Sequence, residues 1–82
     1  MFASTRLFAE TERFIQTEID ELYEVLNVAI KLKDYKKISI SHCADLATIV
    51  SNKINEYNQV KDGKKSIDEV APWRSISGLA EI

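Results

Sequence analysis

His42 and Cys43 are the pair in this chain best suited by type to chemistry, since a thiol near a helix start beside a histidine can be activated as a nucleophile or a metal ligand. Neighbours on a helix point about 100° apart, however, so the two cannot readily share a proton or an ion. A zinc site needs four ligands, or three and a water, and His42, Cys43 and Asp45 fall short of that within one chain. The stretch therefore reads as an exposed first-turn histidine followed by a small thiol in a packing seam. The sequence has no glycine-rich phosphate loop, paired-carboxylate constellation or Ser/His/Asp set. We expect no catalytic residue, no metal site and no cofactor, and a protein that is not an enzyme.

Two charged groups come next. Asp20, Glu21 and Glu24 could make an acidic binding face, although such a run is more often simply solvated. Lys31, Lys33, Lys36 and Lys37 form the densest basic cluster, with Tyr35 inside it and Asp34 interrupting it. That patch supports an alternative function, a nucleic-acid-associated regulator working through residues 31–37. Against it stands a net charge of −2, where a dedicated nucleic-acid binder carries a strong positive excess on one face.

The C-terminal tail is the most suggestive stretch. After Pro72, the apolar residues Trp73, Ile76, Leu79 and Ile82 come at every third position. Tryptophan is over-represented among residues that dominate interface energies. Either the tail folds back over the chain's own helices, or Trp73, Ile76, Leu79 and Ile82 engage a partner. We carry the second as the partner-binding expectation.

The elements that would position these groups follow from periodicity. Asp20, Glu24, Asn27, Lys31 and Asp34 recur at steps of four and three, a polar stripe on one helix from about residue 5 to 34. Ser4 or Thr5 would cap it. Ile15, Ile19, Leu22, Leu26, Ala29 and Ile30 lie on the opposite arc, wider than the ~100° of an ordinary surface helix. So wide an apolar face in a short chain points to a dimer interface through those six residues.

Ser39 or Ser41 would start a second helix, residues 41–61, with a seam of Cys43, Ala47, Val50, Ile54 and Tyr57 and an end at Asp62-Gly63. Folded back about residue 37, position i meets roughly position 75 − i, which runs the basic end of the second helix beside the acidic half of the first. Ser66 and Glu69 have capping-box spacing, and Pro72 limits any helix there to about one turn. The domain organisation is thus a helical hairpin over 1–62, then a short helical turn and apolar tail over 63–82.

Eighty-two residues with two glycines and one proline suit long helices better than a meander of strands. The fold class is all-α: a long antiparallel helical hairpin with a short C-terminal segment, assembled as a dimeric four-helix bundle. The single cysteine, and a start without the apolar run of a secretory signal, give a reducing, cytoplasmic expectation. No apolar run approaches the ~20 residues that span a bilayer, so we expect no membrane partner. By elimination, the expected function is a small protein-binding regulator, such as an inhibitor, an immunity or antitoxin-like factor, a chaperone or an adaptor. Its partner is another protein whose identity is open, alongside a second copy of itself.

Overall fold

A computed structural model describes residues 2–79, with residues 2–10 described by their backbone alone. The described residues form two long α-helices, α1 (Phe2–Asp34) and α2 (Ile40–Lys61), and two single 3-10 turns at Ile67–Glu69 and Trp73–Ser75. The fold is all-helical, and α1 and α2 pack against each other as an antiparallel hairpin. Helix α1 starts ahead of Ser4 and Thr5, so neither is its cap. The described residues contain no helix long and apolar enough to cross a membrane.

The turn between the helices explains why no glycine or proline announced it. The Lys36 N–H donates to the Lys33 carbonyl (2.9 Å) and the Lys37 N–H to the Leu32 carbonyl (2.8 Å). That is a Schellman ending, whose pivotal residue must be left-handed. Lys36 takes that position at φ 62, where a side chain costs roughly 1 kcal/mol more than glycine would. The end of α2 repeats the motif with Gly63 at φ 76: its N–H reaches Val60 (3.1 Å) and that of Lys64 reaches Gln59 (2.8 Å). Ser39 caps α2, its hydroxyl accepting from the His42 N–H at 3.0 Å.

The register matches the expected pairing closely, since Tyr57 meets Glu18 and Lys61 meets Gln16. The charge placement holds in part, since Lys61 shares a cleft with Glu12 and Gln16 on the acidic half of α1. Lys53, expected beside Leu22, turns instead to Glu56 (3.2 Å) and to the Ala71 carbonyl (3.0 Å), and Lys65 also reaches Glu56 (3.9 Å). The seam of α2 is rotated as well. The buried residues are Cys43, Leu46, Val50, Lys53, Tyr57 and Val60, whereas Ala47 and Ile54 are only half-buried. The reason is the tail, which lies against the Lys53 side of α2 and draws burial toward itself.

That tail is the third layer of the core. Val70, Trp73 and Leu79 are buried together with Ile15, Ile19, Leu22 and Ala29 of α1, with Ile67 and Ile76 packed against them. Burying an aliphatic or aromatic side chain of this size contributes about 1.5–3 kcal/mol relative to exposure. Filling one groove of the hairpin with three of them is how a two-helix chain gains a core.

Candidate partner interface

The tail is fastened by a polar cluster that starts with a carboxylate on the apolar face of α1. Glu18 stands one turn from Ile15 and Leu22 and is only 4% exposed, a position that is costly unless the charge is paired. Its partners come from both other layers. The Tyr57 hydroxyl of α2 donates to Glu18 Oε2 at 3.1 Å, and Arg74 Nη1 of the tail lies 3.5 Å from Glu18 Oε1. Tyr57 Oη in turn accepts the backbone N–H of Trp73 at 3.2 Å. One phenol thereby joins all three layers.

A second carboxylate completes the clasp. Glu21 accepts from Trp73 Nε1 at 3.2 Å and is also ion-paired with Arg74. The Arg74 guanidinium lies over the Trp73 ring, 4.6 Å from its centroid, a cation–π contact that holds the arginine near both acids. Burial pushes the Tyr57 phenol up to about 12, partly offset by the Trp73 N–H and reinforced by the Glu18 carboxylate beside it. Among the described residues every buried side-chain nitrogen and oxygen has a partner. The cluster does what a fastening should: it satisfies two acids and an indole while fixing the tail.

Each expected site residue can now be placed. Trp73 and Leu79 are buried in this chain's own core and Ile76 packs against it; Ile82 lies outside the described residues. Of the six assigned to a dimer interface, Ile15, Ile19, Leu22 and Ala29 are buried under α2 and the tail of the same chain, Leu26 is half-buried, and Ile30 is 38% exposed. Cys43 is buried in the seam and His42 is exposed. Among the described residues no group of three or more His, Cys, Asp or Glu is arranged to hold a metal ion.

The acidic run divides. Glu21 belongs to the clasp, while Asp20 accepts from Gln16 (2.9 Å) and, with Glu24, borders an open cleft of about 400 Å³ beside Trp73 and Arg74. Lys33, Lys36 and Lys37 line a second open cleft, of about 710 Å³, at the hairpin turn, and Lys31 is exposed on the last turns of α1.

Sequence reading missed the clasp. Its partners are 39, 52 and 53 residues apart, and no local pattern links them. A signal was nonetheless present. Glu18 falls among the apolar positions of α1, and Lys53 falls three residues after Val50 and four before Tyr57, both at seam spacing. A charge at such a position requires a buried partner.

A hairpin has two grooves, and the described part of the tail fills one of them. On the flank of α1 turned away from it, Tyr23, Leu26 and Ile30 follow at steps of three and four, a span of about 10 Å along the axis. Tyr23 is 53% exposed. By register, Ile54 and Ala47 of α2, the half-buried pair, face the same flank. Phe14 and Val28 are also exposed, but they stand about 21 Å apart, and single exposed apolar residues are ordinary. No family model, no curated protein and no solved structure matches this chain.

Proposed function

We propose that the protein is a small, non-enzymatic protein-binding regulator whose working surface is the open flank of Tyr23, Leu26 and Ile30 with Ile54 and Ala47. The observation that carries this reading is the unequal treatment of the hairpin's two grooves. One is closed by the chain's own Val70, Trp73 and Leu79; the other keeps Tyr23 and Ile30 in water beside half-buried Leu26. Positions i, i+3 and i+7 are the spacing by which one helix seats against another. A second copy is the simplest occupant, and two hairpins joined there make a four-helix bundle. The Trp73 tail then acts as a brace that shapes the hairpin rather than as the contact itself. Whether the regulator is an inhibitor, immunity factor, chaperone or adaptor depends on the partner.

Sedimentation equilibrium over micromolar to submillimolar concentration tests this, with Tyr23→Glu/Ile30→Glu as the paired variant. The expected result is a mass moving toward twice the 9.4 kDa of one chain, reverting to one chain in the variant. A wild-type chain that stays monomeric, and whose captured proteins from cell extract are unchanged by the variant, would sink the reading.

A further inference from the structure

The hairpin turn carries a second surface, independent of the open flank. We infer that this tip docks on a membrane surface bearing anionic lipid. Tyr35 and Ile40 are 76% and 77% exposed, well above the other exposed large apolar side chains among the described residues. Around them residues 31–42 carry Lys31, Lys33, Lys36 and Lys37 against Asp34 alone, a net +3; the remainder of the chain is then −2 − 3 = −5. The molecule is a rod of 53 × 18 × 16 Å with this cationic, apolar turn at one end. Lysine also occupies the left-handed position at residue 36, where glycine would relax the turn. The chain gives up backbone ease there and keeps a cation.

An end-on tip with two greasy side chains ringed by lysines fits a lipid headgroup layer. The phenol of Tyr35 suits the boundary between water and acyl chains, Ile40 can bury in it, and the lysine stems reach outward to lipid phosphates. The cleft lined by Lys33, Lys36, Lys37 and Ile40 has room for a headgroup; Asp34 also lines it and pairs with Lys33 at 3.6 Å, which leaves Lys36 and Lys37 as the lysines for the lipid phosphate. A nucleic acid fits less well. It would run on along the rod, where Asp20 and Glu24 repel phosphates, and it has no use for an exposed isoleucine. Such contact needs no span, so it narrows our expectation of no membrane partner to one of no crossing.

Co-sedimentation of the full chain with phosphatidylcholine vesicles, with and without phosphatidylserine, at physiological salt is the test. Binding is expected to the anionic vesicles alone. Lys36→Gly, which relaxes the backbone and so keeps the fold, should weaken it about fivefold, and Lys36→Glu/Lys37→Glu by about 25-fold or more. Ile40→Ser should weaken it severalfold while leaving circular dichroism unchanged. No binding, equal binding to neutral vesicles, or binding indifferent to these lysines overturns the inference. So does binding to a short RNA or DNA duplex that matches the vesicles in lysine dependence while vesicle binding ignores Ile40→Ser, since the tip would then be a polyanion site.

Discussion

The chain contains two aromatic–cation dipeptides, Trp73-Arg74 and Tyr35-Lys36, and it uses them in opposite ways. Trp73 is 7% exposed, with its indole and backbone N–H groups both donating and the arginine laid over its ring between two carboxylates. Tyr35 is 76% exposed, beside a lysine held in the left-handed region. The difference lies in what faces each pair. Glu18 and Glu21 wait on the edge of the apolar arc of α1 for the first, whereas the second projects from a turn in which Asp34 is the one acid among residues 31–42. Aromatic and cationic side chains turn inward where a poorly solvated carboxylate needs them, and stay available to something outside the chain where none does.

Substitutions should separate the two pairs by size and sign. The largest effect belongs to Trp73→Ala, which empties the filled groove and leaves Glu21 with Arg74 as its one remaining clasp partner: a loss of about 3–5 kcal/mol in urea unfolding. Tyr35→Ala should fall within about 0.5 kcal/mol of wild type, and a comparable loss there would erase the contrast.

Next is Tyr57→Phe, which keeps the ring but strips Glu18 and the Trp73 N–H of a shared partner, costing about 1–3 kcal/mol. It should also change the pH dependence. The folded phenol sits at about 12 against an ordinary 10.0, so the unfolded chain ionises first. The stabilising preference for the neutral phenol is therefore intact below pH 10 and lost as pH rises from 10 toward 12, by up to about 3 kcal/mol. Unfolding free energies of wild type and Tyr57→Phe should converge across that window. Parallel curves would mean the phenol is not buried as described.

Smaller still is Ser39→Ala, which removes the cap of α2 beside the tip and should cost about 1 kcal/mol. The smallest effect is of opposite sign: Lys36→Gly should stabilise by about 0.5 kcal/mol, because the relief of left-handed strain exceeds glycine's extra freedom in the unfolded chain. A destabilised Lys36→Gly would mean the lysine is held by contacts of its own.

Much of the fold was legible because its signals are local. The 3.6-residue periodicity of α1, the Ser39 cap, the Ser66–Glu69 capping box and the glycine ending at Gly63 all act within a few residues, and each is where the spacing puts it. The end of α1 at Asp34 was legible as well, but the left-handed residue that closes it, Lys36, was not, because a lysine stands where the geometry favours glycine. The rotated seam of α2 was illegible for another reason: whether Leu46 or Ala47, and Lys53 or Ile54, is buried depends on where a tail some twenty residues onward lies down. The candidate surfaces were read only in part. The lysine cluster at the turn stood out, whereas the open flank emerged only once the tail was seen to cover its counterpart.

Everything turns on the tail being clasped by its own chain, since that is what leaves the Tyr23–Ile30 flank as the unfilled groove. Trp73 is the only tryptophan, so its emission and its quenching by iodide, followed on dilution to nanomolar protein, report the clasp alone. Blue-shifted emission that stays protected at every concentration is the expected outcome. Emission that reddens and becomes quenchable on dilution, in a chain whose circular dichroism stays helical, would show the tail held by a second molecule and contradict it.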